Sequence, residues 1–521
     1  METFLSQNGL SLVENENKFR SIITNKKIDI GKTIIISHPL ISFPILTYNK
    51  IRCDQCLKKK ENNLQTCSKC QRVYYCDRSC QKSSWISHHK LLCPLYKKSK
   101  NNMDEEMLKR VTILIEKFFN NNNNNNNNEN YLFETFLKLM NHRTEQSINN
   151  LKSFEKISNN TYENLNFNKI SKDDLINYLC VFYCNNFNLH DNQLFVYGEG
   201  TFPIGSLFNH SCRPNAIVMY DGAVQIIKCI EVINVGEEIN ISYIDVALDR
   251  VTRKKMLQEK YFFECQCSRC SVQERYSGIF SKIDQLIEEK DQVITKKDFN
   301  TSLENWVSSE SKLEQNESKF SKVTKLILSN LLSHIKNNTT DNDYINSLSE
   351  IISILFQNYS KTNLFYISSF SFTTKLFYDK IDLQQWYQST ILGNYILSIY
   401  LIIYPRYHPM IGLHLFTLGK CYWNDITNGL ESVKESINIL ECAQKVLNIT
   451  HNEGAENVDI INQIYTSCYN CSTNAIPGHT EVLNDYAFLI PGKFSCLYKE
   501  FITNIIILLR SIKRYIRISA D

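Results

Sequence analysis

Residues 53–93, CDQCLKKKENNLQTCSKCQRVYYCDRSCQKSSWISHHKLLC, decide how this chain of 521 residues must be read. They set seven cysteines and one histidine in the order Cys53-x2-Cys56-x10-Cys67-x2-Cys70-x5-Cys76-x3-Cys80-x8-His89-x3-Cys93. Pairs two or three residues apart can turn both donor atoms onto one ion, and seven thiolates plus one imidazole fill two closed tetrahedral zinc sites. Ordinary core cysteines have no reason to keep this spacing. His88 competes as a donor, but only His89 has the x3 spacing to Cys93. With every position filled by protein, the zinc is expected to be structural. So short a segment has little core of its own, and metal binding is expected to supply much of its folding energy.

Working outward, residues 50–100 carry 13 Lys/Arg against 3 acidic residues, a local charge of +10 in a chain whose net charge is +4. A basic face of this kind admits nucleic acid, although a solvated surface explains it equally well. The whole-chain charge is too small to imply a nucleic-acid partner by itself. Hydrophobic residues at 43% and charged residues at 21% exclude a fibrous or wholly disordered protein. The length predicts three or four domains. Met1–Leu10 has neither the basic start nor the apolar stretch of a secretory leader, so the 19 cysteines are expected to stay reduced and to serve metal rather than disulfides. The most apolar run, Ile391–Tyr404, is shorter than the ~18 residues of a membrane span and contains Asn394. It is expected to be a buried helix, and no membrane partner is expected.

Lys32–Leu40 is β-branched and follows the turn signal Asp29-Ile30-Gly31, so a strand is expected there. Met103–Phe119 has apolar residues at helical intervals and runs into nine consecutive asparagines, Asn120–Asn128, expected to form a disordered loop. Residues 175–245 are expected to be the β-rich centre, with strands in Ala223–Ile230 and Glu238–Ile244. Beyond residue 280 the periodicity turns helical, as in Leu430–Ile449, and a final amphipathic helix is expected in Phe501–Ile518. Cys468-x2-Cys471 lacks a partner pair, and Cys180, Cys184, Cys229, Cys421, Cys442 and Cys496 are expected to be small buried apolar residues.

The order of ligands in 53–93 resembles the MYND zinc finger, in which alternate pairs interleave. That resemblance implies one zinc on Cys53, Cys56, Cys76 and Cys80 and another on Cys67, Cys70, His89 and Cys93, in a module that docks peptide partners. Downstream, Cys265-x-Cys267-x2-Cys270 offers three thiolates and needs a fourth ligand, for which Cys212 in Asn209-His210-Ser211-Cys212-Arg213-Pro214-Asn215 is the candidate. This NHSCRPN motif, the following GEEINISY (236–243) and the CxCxxC cluster resemble the SET methyltransferase core. Together with the finger, the chain resembles the SMYD-type protein-lysine methyltransferases. His408-Pro409, Gly412, Leu418-Gly419-Lys420 and Thr450-His451 resemble the helical domain of that family.

The resemblance implies an α+β multidomain fold in which a β-rich SET domain is split by a MYND finger and followed by an all-α TPR-like domain. The expected division is 1–52 for the first part of the SET domain, 53–93 for the finger, 94–179 for a helical insert, 180–250 for the core SET, 251–275 for a post-SET zinc segment and 276–521 for the helical domain. The implied reaction moves a methyl group from S-adenosylmethionine to a lysine of a histone or another protein, with three structural zinc ions. Tyr243 is the implied catalytic residue, its hydroxyl orienting amine and methyl. Tyr261 and Phe263 would line the lysine channel and cover the cofactor, with ordinary core packing as the alternative. Asn209 and His210 match positions that contact the adenosine part, and Asn186 and His142 fall near it. The family's Gly-x-Gly turn is replaced by Glu16-Asn17-Lys18, leaving Asn17 as a cofactor contact. That departure keeps open a catalytically silent scaffold that binds partners through its finger and helical domain. A monomer in the cytoplasm, the nucleus or both is expected.

Overall fold

The computed structural model describes residues 1–15, 19–60, 64–97, 103–121, 130–165, 167–271, 278–288, 296–309, 318–360, 362–425, 429–451 and 462. These form two units, one of 1–246 with 251–267 and the other of 247–250 with 268–521. In the first, α1 (Glu2–Gln7) leads into the antiparallel hairpin of β1 (Leu10–Asn15) and β2 (Phe19–Thr24), followed by β3 (Thr33–Ser37) and β4 (Ile41–Pro44). The finger then adds β5 (Gln65–Thr66), β6 (Tyr74–Tyr75), α2 (Arg78–Ser84), a π-helical turn at Trp85–His89 and α3 (Lys90–Leu92). Four helices follow, α4 (Met103–Asn121), α5 (Asn130–Leu137), α6 (Ile148–Asn164) and α7 (Lys172–Asn185). The remaining strands are β7 (Asn186–His190), β8 (Val196–Thr201), β9 (Asn209–His210), β10 (Ala216–Asp221), β11 (Val224–Cys229) and β12 (Asn240–Ile241), and α8 (Arg250–Tyr261) comes next.

The strand expected at Lys32 is β3, and its partner is β11, far down the chain, in the antiparallel order β10-β11-β3. A second sheet has the order β4-β8-β7, and β9 pairs in parallel with β12. Ile22, Ile34, Ile35 and Phe43 from the early strands share one buried core with Leu108 and Val111 of α4, Leu175 and Phe182 of α7, and Phe208, Ile227 and Ile241. The early segment therefore cannot bury its apolar face until the residues beyond 200 arrive.

The β-rich centre starts later than expected, because residues 175–185 belong to α7, which also runs unbroken across the expected boundary at 179/180. Ser171 and Asp174 cap it reciprocally, and Leu175, Tyr178, Leu179 and Phe182 recur at helical steps on its buried side. The aromatic Tyr178 and Phe182 are spent on a helix because tertiary burial outweighs their small strand preference. α4 continues to Asn121, so the asparagine tract begins inside a helix rather than wholly in a loop; Asn122–Asn128 lie outside the described residues. Also outside them are Asn17, Cys468, Cys471, Cys496 and Phe501–Ile518.

The finger is joined to the first unit by apolar and ionic contacts. Ile113 of α4 and Leu165 lie in the finger's own core with Val73, Tyr75 and Leu92. Beside Cys53, the Asp54 carboxylate accepts from Arg110 Nη2 at 2.9 Å, while Arg110 Nε reaches Glu106 at 2.6 Å. Arg110 and Asp54 are both buried. Gly222, at φ +59°, turns the β10–β11 hairpin against the finger, where an added Cβ would lie 2.3 Å from the Cys56 carbonyl oxygen.

The second unit contains α9 (Ile279–Ile287), α10 (Lys296–Ser309), α11 (Lys319–Ile327), α12 (Ser333–Asn337), α13 (Asp341–Tyr359), α14 (Ile367–Asp382), α15 (Trp386–Ile403), α16 (Pro409–Asn424) and α17 (Gly429–Thr450). The run Ile391–Tyr404 lies in α15 up to Ile403, with Tyr404 as its C-cap, and is almost wholly buried, as expected. Gly412 and Gly419 on α16 let α17 come close, with Leu447 and Leu440 filling the space a Cβ would take. No helix among the described residues is long and apolar enough to cross a membrane.

Replacing Asp54 by alanine leaves the Arg110 cation buried without its carboxylate, and an uncompensated buried charge costs about 3–5 kcal/mol. Asp54→Ala is expected to lower stability to denaturant by that amount; a loss under about 1 kcal/mol would show the pair to be dispensable.

Candidate active site and metal centres

The donor atoms of Cys53, Cys56, Cys76 and Cys80 lie within 4.8 Å of one another, and so do those of Cys67, Cys70, His89 and Cys93. Cys56 and Cys76 sulfurs are 3.5 Å apart, Cys67 and Cys93 sulfurs 3.9 Å, and Cys70 sulfur stands 3.6 Å from His89 Nε2. A zinc–sulfur bond of about 2.3 Å makes the edge of a tetrahedron about 3.8 Å, so these are the separations that an ion at the centre requires. Burial pushes the Cys80 and Cys93 thiols up to about 12, so the four thiolates of one set and the three of the other can share such a space only around a cation. Burial also lowers His89 to about 4, which keeps its ring neutral and able to ligate. His88 is buried too, but its Nδ1 pairs with Ser87 at 2.8 Å and it stands outside the cluster. The pairs interleave along the chain, and Asp77, capping α2, takes the Cys80 N–H and so sets that thiol's approach.

A third group brings Cys212 together with Cys265, Cys267 and Cys270, again with all sulfurs within 4.8 Å. Cys212 comes from the segment that follows β9, and that segment is held by a clamp. Asn215 accepts the Asn240 N–H at 2.8 Å and donates to the Glu238 carbonyl at 2.9 Å, while the Ser211 N–H reaches the Ile241 carbonyl at 2.9 Å. The parallel pairing of Asn209 with Asn240 and of His210 with Ile241 follows from these bonds. Two residues past Ile241, the Tyr243 N–H donates to His210 Nδ1 at 3.0 Å.

Tyr243 is thus fixed at its backbone, and its hydroxyl donates to the Phe208 carbonyl at 2.6 Å. With the proton so engaged, the oxygen's remaining lone pairs are free in direction to accept. Burial, then Tyr261, push the phenol above its ordinary range, and the Arg20 guanidinium opposes them. The ring centres of Tyr261 and Phe263 lie 4.9 Å and 6.3 Å from that of Tyr243, and Tyr261 donates to the Tyr243 carbonyl at 3.3 Å. All three rings are half-buried, where a core trio would be sealed. Phe262 between them turns the opposite way through a left-handed φ of 58° and stacks on His142, itself at φ 48°, at 5.2 Å. Two bulky residues in that region store of order 1–3 kcal/mol each, strain that surrounding contacts must hold.

The structure brings Tyr243, Tyr261, Phe263, Asn209, His210 and Cys212 to one place. Asn209 is already engaged, its amide donating to the Arg20 carbonyl at 2.6 Å and to Glu238 at 2.8 Å. Both ring nitrogens of His210 face protein atoms, so a bound nucleoside would meet its ring face or backbone. Asn186 turns to Glu199 and Thr201 within the β7–β8 pair. Its neighbour Asn185 instead reaches the loop of His142, donating to the Met140 carbonyl at 2.9 Å. Arg20, Glu238, Phe262 and Arg253 were not singled out from sequence. Phe262 left a signal as the middle of three aromatics and Glu238 as part of GEEINISY, whereas the contacts of Arg20 and Arg253 with Ser206 and Cys212 join residues far apart in the chain.

Residues 53–93 match the MYND finger family. Over 473 residues the chain is 28% identical to the histone-lysine N-methyltransferase ASHR1 of Arabidopsis thaliana, covering 87% of this chain and 93% of that protein. It is 30% identical over 274 residues to the N-lysine methyltransferase SMYD2-B of Xenopus laevis and 27% over 273 residues to the histone-lysine N-methyltransferase SMYD3 of Homo sapiens. Each of these two matches covers 51% of this chain and 62% of the relative.

Three donor sets predict three zinc ions per chain by elemental analysis, and two in Cys212→Ser. A wild-type content of two would contradict the third centre.

Proposed function

Because this chain is a SET and MYND domain protein of the SMYD type, we propose that it transfers methyl groups from S-adenosylmethionine to the side-chain nitrogen of lysine in a protein. The observation that carries the reading is the placing of the Tyr243 hydroxyl, through β9 and β12, beside the half-open aromatic group of Tyr261 and Phe263. When bound, S-adenosylmethionine supplies an electrophilic methyl group on a sulfonium ion. It would lie against Asn209 and His210, under Phe263, with the His142 loop at its edge.

The protein's part is alignment and solvent exclusion. Displacement at a methyl carbon requires the attacking nitrogen, the carbon and the departing sulfur in line, and fixing that geometry removes much of the entropic barrier. Tyr243, immobile at its N–H, its carbonyl and its hydroxyl, orients the acceptor nitrogen through the lone pairs of its oxygen. Its raised pKa makes it unsuited to be the base. The aromatic walls disfavour an ammonium ion, so the substrate amine gives its proton to water before it is enclosed. Aromatic faces also attract the cation on its way in.

The substrate is read as a histone or another protein presenting a lysine, and the finger as a module that docks peptide partners to a monomeric enzyme. The cytoplasm, the nucleus or both would give access to such substrates.

Tyr243→Phe is expected to lower incorporation of labelled methyl into a lysine-bearing protein by about 10²- to 10³-fold while leaving cofactor affinity nearly unchanged, since it removes one preorganised polar group. Full activity in this variant, or no labelling by the zinc-loaded wild type, would sink the reading. The rate should climb with pH as the substrate amine deprotonates, with no downturn from Tyr243 ionisation below about pH 10. An alkaline fall that Tyr243→Phe abolishes would contradict the raised phenol.

A further inference from the structure

Four thiolates on one divalent zinc leave two negative charges in excess. In the third centre Cys212, Cys265 and Cys270 are buried, so this charge has little water to stabilise it and must find donors in the protein. Two meet at Cys212. Arg253 on α8 is wholly buried, and its Nε stands 3.2 Å from the Cys212 sulfur. His210 Nε2 stands 3.2 Å from the same sulfur. Since His210 Nδ1 accepts the Tyr243 N–H, the hydrogen of the neutral ring belongs on Nε2, aimed at the sulfur. Arginine keeps its charge at any pH a protein meets. The Cys212 sulfur therefore receives one neutral and one cationic N–H donor, and the same imidazole holds the backbone of Tyr243.

We propose that Arg253 is a positioning residue: by donating to the Cys212 sulfur it holds the third zinc centre, and through Cys212 and His210 it holds Tyr243 at the aromatic group. The step to Tyr243 rests on the methyl-transfer reading; the step to zinc does not. A buried arginine that merely fills space would affect overall stability, whereas an outer-shell donor changes one metal site and leaves the others alone.

The full chain, as wild type, Arg253→Lys and Arg253→Met, is loaded with zinc, and release to a coloured chelator is followed with time. One of the three zinc equivalents should leave about 10- to 100-fold faster in Arg253→Met, with Arg253→Lys between, while the two finger equivalents keep wild-type rates and report an intact fold. With cobalt in place of zinc, the thiolate-to-metal absorption of that site should shift. In methyl transfer kcat should fall with the KM for peptide unchanged, and added zinc should restore activity in part to Arg253→Met but not at all to Tyr243→Phe. Wild-type release of all three equivalents in both variants, or equal acceleration of all three, overturns the proposal. If Arg253→Met does not fold, the same criteria apply to Arg253→Lys, which keeps the charge and loses the fixed Nε–H. An inactive wild type, together with selective release in Arg253→Met, would overturn the methyl-transfer reading while leaving the Arg253–zinc link standing.

Discussion

The parallel pairing of Asn209-His210 with Asn240-Ile241 is the constraint on which the candidate site depends. Two residues of ladder have little stability of their own, so the pairing must be enforced from its surroundings. Asn215 enforces it from one side by taking the place of a missing strand, bonding both the Asn240 N–H and the Glu238 carbonyl. Burial enforces it from the other, since Phe208 and Ile241 belong to the main core. Release either hold and His210 loses its place under Tyr243. The geometry of the candidate site is therefore a property of two segments paired in parallel, with no single loop able to carry it.

Zinc serves two different ends in this chain. In the finger it supplements a small core, and the buried Asp54–Arg110 pair fastens the module to α4. At Cys212 it joins segments that already belong to a core, and the bond it makes falls two residues from His210. The first use is about making a small segment fold; the second is about precision at a place where the backbone is strained at His142 and Phe262.

How much could be read beforehand followed from how local each cause was. Cysteine spacing in 53–93 was legible because a metal's geometry is satisfied by neighbours in sequence, and it separated His89 from His88 correctly. The Cys212 ligand was legible only through its motif, since its three partners stand more than fifty residues away. The helix α7 runs past the expected boundary at 179/180: the Ser171–Asp174 cap marks its start, but nothing local marks where it hands over to β7. Asn185 and Asn186 could not be told apart, as which of two adjacent side chains faces the His142 loop is settled by where the helix hands over to the strand. Arg253 was invisible for a plainer reason: nothing in a sequence marks an arginine as destined for the interior.

The distance along the chain between β3 and β11 has a consequence for the protein's birth. Ser37 and Gln225 are 188 residues apart, whereas every ligand of the finger lies between residues 53 and 93. During translation the finger can close on zinc soon after it leaves the ribosome, while β3, with Ile34 and Ile35, waits unpaired through the synthesis of most of the first unit. For that interval an apolar strand has no sheet to join, with a metal-closed bead just beyond it. Metal supply at the time of synthesis thus bears on the nascent chain before the sheet that will take β3 exists.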